Sequence, residues 1–433
     1  RLSISRSTAG SFSFLILDAG SSAITGVMKL FRVILASLLL SLLLPANGGE
    51  EEDMRMVFVH YMPWYASKPV SGHWGWHWTM DHFDPDREVA SHDPPLIGPY
   101  DSGDPHLLEC HVLLMKYAGV DGVVIDWYGI KDFNDYAMIH RNTELLVQHL
   151  KRAGLKFLIC YEDQAVAKMM KPGVLDADDD TAHGAEVMSW LDENWFSDPA
   201  YVRIDGRPVL LVFGPRHFRK EQWQQMTDGL SPRPLLCALP HLWREAGANG
   251  VFGWIPVSGG KEASPDDWQR YLRDLHALHT TASPVIAVAF PGYHDIYGEA
   301  GTGESYGYLD ARDGRTFGET LDHAWQSGSP IIQVATWNDF GEGTAIEPTR
   351  ALGYQYLEAL QKQIETLSKP FNPYAPDDLR LPVQLYELRK RYPRNPEVLR
   401  ELDRASALLF SSMCEKARVL MESIEKYTLK PSR

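Results

Sequence analysis

From Met56 onward, short and nearly unbroken apolar runs alternate with longer stretches in which apolar residues recur every three or four positions. The runs VFVHYMPWY, GVVIDWYG, KFLICYEDQ, RPVLLVFGP, PLLCALP, GVFGWIPVSG and SPVIAVAFPGYHD, then Ile331 to Ala335, read as eight strands buried on both faces. Between them, helical spacing places Leu108, Val112 and Met115 on one face of a Pro105 to Ala118 helix. Leu145, Leu146 and Leu150 mark a second helix, and Val187 to Leu191 a third. Trp268, Tyr271 and Leu275 mark a fourth, and Phe317 to Trp325 a fifth. A helix at Leu352 to Ile364 closes the series, so the pattern predicts an α/β (β/α)8 TIM barrel over 55–368. A doubly wound sheet is the alternative, but neither a GxGxxG nor a P-loop accompanies it, and no cofactor is expected. Beyond Lys369 a Pro-rich linker, PFNPYAPDDLRLP, leads to helical spacing through Leu385, Leu388, Leu402, Leu409 and Met413. Residues 369–433 are therefore expected to form a linker and additional C-terminal helices.

Composition narrows the partners. A chain of 433 residues with 44% hydrophobic and 23% charged positions buries a large core, and a net charge of −15 argues against nucleic acid and anionic membrane surfaces. A neutral ligand fits better, and nothing in the composition sets an oligomeric state. Residues 1–27 contain no Met and read as an upstream extension that is not part of the native start. Residues 28–48 then show Lys29 and Arg32, the apolar Val33 to Leu44 and the small Ala46-Asn47-Gly48, the pattern of a cleaved signal peptide. The apolar run is shorter than the ~20 residues a membrane helix needs, so the expectation is a secreted or periplasmic protein without stable membrane insertion. Cys110, Cys160, Cys237 and Cys414 are scattered without CxxC spacing and read as free thiols.

Polar and aromatic residues gather where the strands end, which is where (β/α)8 barrels keep their chemistry. The set comprises His60, Tyr61 and Trp64, then Asp126, Trp127 and Tyr128, then Glu162. Tyr293, His294 and Asp295 follow, and then Trp337, Asn338, Asp339 and Glu342. A loop after the first strand, GHWGWHWTMDHFDP, adds Trp74, Trp76, His77 and Trp78. Sugars present apolar CH faces to indole rings and hydroxyls to polar groups, so this loop reads as a substrate wall, or else as an aromatic plug beneath a long loop. Asp339 and Glu342 lie three residues apart across Gly341. Paired carboxylates beside aromatic walls suit glycoside hydrolysis, in which one acid stays protonated; the alternative is that both only hold a turn. No metal site is expected. His73 and His77 lack the HExxH carboxylate, and the acidic run at Asp176, Asp178 and Asp180 has Thr181 where a calcium loop needs Gly.

Taken together in this order, HYMPWY, AGVDGVVIDWYG, YED, PGYHD and WNDFGEGTAIEP resemble glycoside hydrolase families 71 and 99, over about Val57 to Ser368. The resemblance implies a (β/α)8 barrel acting on α-linked glycans: α-mannans for family 99, α-1,3-glucans for family 71. It also implies that one carboxylate deprotonates the substrate 2-hydroxyl while another, three residues on, serves as acid and then base. Those roles fall on Asp339 and Glu342. The chain departs from family 99 in having Asp339 where that family has Glu, a side chain shorter by about 1.5 Å. A second departure is Asp126, a spare acid at the second strand that makes a third catalytic candidate. The expected function is a secreted glycoside hydrolase, and the competing expectation is a catalytically silent barrel that binds glycans.

Overall fold

The structure, a computed structural model, describes residues 55–366 and 372–428. The extension over 1–27, the signal peptide over 28–48 and the boundary at 368/369 lie outside the described residues. Eight strands form the barrel: β1 (Met56–Tyr61), β2 (Gly122–Trp127), β3 (Lys156–Tyr161), β4 (Arg207–Val212), β5 (Leu235–Ala238), β6 (Gly250–Phe252), β7 (Val285–Ala289) and β8 (Ile331–Val334). Each pairs in parallel with the next, and β8 pairs with β1 through Met56 opposite Ile331, which closes the cylinder. The predicted (β/α)8 barrel is thus the observed fold, and no doubly wound sheet forms among the described residues.

Outside the strands lie α1 (Pro105–Tyr117), α2 (Tyr136–Ala153), α3 (Asp180–Leu191), α4 (Lys220–Thr227), α5 (Pro265–Ala277), α6 (Arg315–Gln326) and α7 (Gln355–Thr366). Local chemistry sets several starts. The Asp104 carboxylate accepts from the His106 amide ahead of Pro105, and Ser264 caps α5 through the Asp267 amide ahead of Pro265. In both, the capping side chain satisfies an amide that the helix leaves open, and proline supplies the fixed φ of the first turn. The crossover from β5 to β6 carries only the four-residue turn Trp243–Ala246, and β6 is three residues long. The weak apolar pattern there reflects a short strand rather than a long one.

Three more helices follow: α8 (Arg380–Arg391), α9 (Pro396–Phe410) and α10 (Cys414–Thr428). They pack on α1 and α2. Arg389 meets Glu109 at 3.0 Å, Tyr117 donates to the Leu409 carbonyl at 3.1 Å, and the Arg152 guanidinium lies 3.8 Å from the Phe410 ring centre. Cys110, Cys160, Cys237 and Cys414 are free thiols. No helix among the described residues is long and apolar enough to cross a membrane.

Candidate active site

The turn after β8 carries the two acids and is tied to the turn after β7. The Thr336 amide donates to the Thr344 carbonyl and the Thr344 amide to the Asp339 carbonyl, which closes the turn on itself. The Asp339 amide donates to Thr336 Oγ1 at 2.8 Å, and the Glu342 amide donates to Asp339 Oδ1 at 3.1 Å. Asp339 therefore does hold the turn, but its carboxylate also lines the pocket beside Glu342. The amides of His294 and Ile296 donate to the carbonyls of Glu342 and Gly341, each at 3.0 Å. Gly343 makes this seam possible: its φ is +65°, and a Cβ there would lie 2.6 Å from the His294 carbonyl oxygen. The glycine thus brings backbone close to backbone. The seam sets Tyr297 against Glu342, with its hydroxyl 3.4 Å from Oε1.

The pocket these residues line, of about 620 Å³, opens at the C-terminal ends of the strands. Burial pushes Glu342 well above the usual carboxylate range, and the Asp339 charge pushes it further, while the hydroxyls of Tyr293 and Tyr297 pull the other way. Burial also raises Asp339 to about 7, against the backbone amides of Glu342 and Gly341 that favour its charged form. Across the pocket, burial followed by the Asp339 charge raises Asp126, and burial followed by the Asp126 charge raises Glu162. Gln164 donates to Glu162 at 2.6 Å. The mouth thus gathers four carboxyl groups that cannot all be ionised at neutral pH.

His60 is neutral there, since burial lowers it to about 4. Gln333 donates its amide to the Gly253 carbonyl at 3.1 Å, which leaves its oxygen to accept from His60 Nδ1 at 3.3 Å. That assignment leaves the Nε2 lone pair 3.9 Å from Asp126 Oδ1. The ligand atoms of His60, Asp126 and Cys160 lie within 4.8 Å of one another. Burial raises both the thiol and the carboxyl. At the surface, His92 and His294 stack face to face at 3.8 Å and 8°, His92 Nε2 lies 2.8 Å from Glu299, and the ligand atoms of the three lie within 4.8 Å of one another.

Of the residues marked in the sequence, His60, Trp64, Trp76, His77, Asp126, Tyr128, Glu162, Tyr293, Asp339 and Glu342 line this pocket. Tyr61, Trp127, Trp337 and Asn338 do not. The Tyr61 hydroxyl lies buried 3.0 Å from His111 Nδ1. Trp127 faces the helices, donates to His140 at 3.2 Å and packs on Trp195. Trp337 sits edge-on to His111 in the core. Asn338 accepts from the Met62 amide at 2.8 Å and donates to the Met62 carbonyl at 3.0 Å, lacing the exit of β8 to that of β1. Neighbouring residues at a strand end point to opposite sides, so a cluster marked by proximity in sequence takes in its outward members too.

Other lining residues carried weaker signals. Trp254 and Phe213, at the exits of β6 and β4, meet edge to face at 4.8 Å, and Trp254 also packs on His60 at 4.8 Å. Tyr297, Lys168 and Arg216 complete the polar edge. Asp295, buried behind the pocket, accepts from Ser305 at 3.0 Å and from the Tyr306 amide at 2.8 Å, and so holds the 302–306 segment at the rim.

No protein-family model matches the chain. The glycoprotein endo-alpha-1,2-mannosidase of Rattus norvegicus is 23% identical over 375 residues, 74% of this chain and 77% of that protein. A glycoprotein endo-alpha-1,2-mannosidase-like protein of Danio rerio is 29% identical over 369 residues, 72% of this chain and 79% of its own length. Among solved structures, the GH99 endo-alpha-mannosidase from Bacteroides thetaiotaomicron aligns with a TM-score of 0.55 at 18% identity. That alignment covers 72% of this chain and 97% of the other, and it supports the barrel fold. The relatives are named as mannosidases or mannosidase-like proteins, and the solved structure shares the barrel. In sequence the chain is similar to these glycoprotein endo-alpha-1,2-mannosidases, and in fold to the GH99 endo-alpha-mannosidase.

Proposed function

We propose that the protein is an exported glycoside hydrolase that cleaves an α-mannan-type glycan, with Glu342 as general acid and Asp339 as the carboxylate that receives a proton. The observation that carries this reading is the pair of acids three residues apart in one aromatic-walled pocket, both with raised pKa values. Burial and the Asp339 charge favour the protonated form of Glu342, which suits protonation of a leaving oxygen, and burial raises Asp339 to about 7, where a base is half available. The relatives named as endo-mannosidases support the substrate class, and the Met28 to Gly48 pattern supports export. Asp126 faces the same space and is the reserve acid.

One observation favours a second reading, a barrel that binds glycans without cleaving them. Asp339 is the shorter acid, and one of its oxygens is engaged by the Glu342 amide. Incubation of the folded protein with α-mannan and with α-1,3-glucan, followed by analysis of released oligosaccharides, separates the two. Products from α-mannan support the first reading, and binding of either polymer without release supports the second.

A further inference from the structure

Outside the pocket, His92, His294 and Glu299 meet where the loop after β1 packs on the turn after β7. His92 and His294 stand 202 positions apart in the chain, so no local spacing announces the cluster. The ligand atoms of the three side chains all lie within 4.8 Å of one another. His92 is the fixed member. Its Nδ1 lies 3.2 Å from the His294 carbonyl oxygen, which can only accept, so Nδ1 carries the hydrogen. Its Nε2 lies 2.8 Å from Glu299 Oε1. Two acceptors at that distance repel unless a positive charge lies between them, and that charge is either a second proton on the ring or a metal ion. An imidazole whose Nδ1–H is held by a backbone carbonyl while Nε2 looks outward is the arrangement that metal-binding histidines use. The His294 ring supplies a third donor. It stacks on His92 at 3.8 Å and 8°, with Tyr308 edge-on at 5.2 Å. Planes so nearly parallel cannot both contain one ion, so binding requires His294 to turn about its Cβ–Cγ bond, which its exposure allows. With both donors ~2.1 Å from an ion at a tetrahedral angle, nitrogen and oxygen stand ~3.4 Å apart. The Glu299 side chain, 64% exposed, has room to draw back by the ~0.6 Å this takes.

We propose that His92, His294 and Glu299 form a site for a divalent ion of the zinc class, with water completing the tetrahedron. Two imidazoles and one carboxylate suit Zn²⁺ and offer too few oxygens for Ca²⁺ or Mg²⁺. The two loops are already joined to the acid-bearing turn and the stretch that follows it. The Ala351 amide donates to Asp93 Oδ1 at 3.0 Å, next to His92, and the His294 amide donates to the Glu342 carbonyl at 3.0 Å. None of the three ligands lines the pocket. The ion therefore fastens the exits of β1 and β7 to one another beside the acids without entering the chemistry. It stabilises the fold because it binds only when the two loops are together. The inference stands whether the barrel cleaves glycans or only binds them.

The test titrates Zn²⁺ into the full chain freed of metal by a chelator, with calorimetry for binding and thermal melting for stability. A single ion should bind per chain, and at about a hundredfold excess over Kd the Tm should rise by roughly 3–5 °C. Mg²⁺ should leave the Tm unchanged. His92→Ala, His294→Ala and Glu299→Gln should each weaken Zn²⁺ binding about 10-fold or more. All three side chains lie at the surface, so these variants keep the core intact. Co²⁺ in place of Zn²⁺ should give weak visible bands without the intense near-ultraviolet absorption of a thiolate ligand, which separates this site from the His60, Asp126 and Cys160 trio. If Zn²⁺ gives neither heat nor a rise in Tm, the charge between His92 and Glu299 is a proton and the site is overturned. Binding that persists at full strength in any of the three variants, or a thiolate band with Co²⁺, would place the ion elsewhere and overturn it equally.

Discussion

Glu109 and Glu347 are as deeply buried as Asp126 and Asp339, yet they keep different company. Glu109 takes Arg389 at 3.0 Å on one oxygen, and Ser406 and Arg152 on the other, fastening α1 to the C-terminal helices. Glu347 accepts from the Tyr100 hydroxyl at 2.8 Å and lies 3.2 Å from His111 Nε2, and His111 in turn meets Tyr61. Both acids have a partner at each oxygen, and neither lines the pocket at the barrel mouth. At the barrel mouth the balance is reversed. Asp126 Oδ2 and His60 Nε2 are buried without a hydrogen-bond partner, and Asp126, Glu162, Asp339 and Glu342 share one cavity, with Glu304 at its exposed edge. A buried acid with partners on all sides holds elements together, whereas buried acids left facing one another and a cavity hold protons in readiness.

Removal of a scaffold acid should break the contrast most visibly. Glu109→Ala leaves Arg389 buried with, among the described residues, only the exposed Asp403 as ion-pair partner, and should cost about 3 kcal/mol in denaturant unfolding. The pH dependence of activity in the fraction that remains folded should not change. A shifted profile would place Glu109 in the chemistry.

Asp126→Asn should do the opposite. The folded pKa of Asp126 is raised, so the stability it contributes is present below the unfolded carboxylate range, ~4, and is lost as pH rises toward the folded value. The variant escapes that loss. Its Tm should therefore exceed that of the unaltered protein, by more at pH 8 than at pH 5. A Tm difference that shrinks from pH 5 to pH 8 would mean that Asp126 is paired and charged.

The smallest expected effect is at Asp295. Its negative charge helps raise both Asp339 and Glu342 from behind the pocket. With Asp339 as the proposed base and Glu342 as the proposed acid, kcat/KM should rise through about pH 7 and fall again at higher pH. Asp295→Asn should move both limbs to lower pH. Limbs that stay in place while KM rises would assign Asp295 to the rim segment alone.

The barrel was legible because parallel strands buried on both faces write themselves as apolar runs, and because residues such as Asp104 and Ser264 mark helix starts through backbone chemistry that needs no tertiary contact. The acids at Asp339 and Glu342 were legible for a related reason: a strand that empties into WNDFGEG puts polar groups where the fold keeps its pocket. Which side of each strand end faces in was not legible. Tyr61 and Trp127 sit directly beside His60 and Asp126 in the chain, but the pleat turns them to the helices, where His111 and His140 receive them. Trp254 escaped notice because β6 is only three residues long and leaves almost no periodicity. The scaffold role of Glu347 is set by Tyr100 and His111, which are distant in sequence and invisible to local pattern.

The most direct test of the central claim, that Asp339 and Glu342 divide base and acid duties, compares Glu342→Gln and Asp339→Asn on α-mannosides with poor and with activated aryl leaving groups. A positioned general acid typically contributes about 10²–10⁴-fold. Glu342→Gln should therefore lose that much on the poor leaving group and much less on the activated one, and Asp339→Asn should impair both. Both variants should melt close to the unaltered protein. Equal losses on both substrates for Glu342→Gln, with Tm unchanged, would contradict the account and move the acid to Asp126 or Glu162.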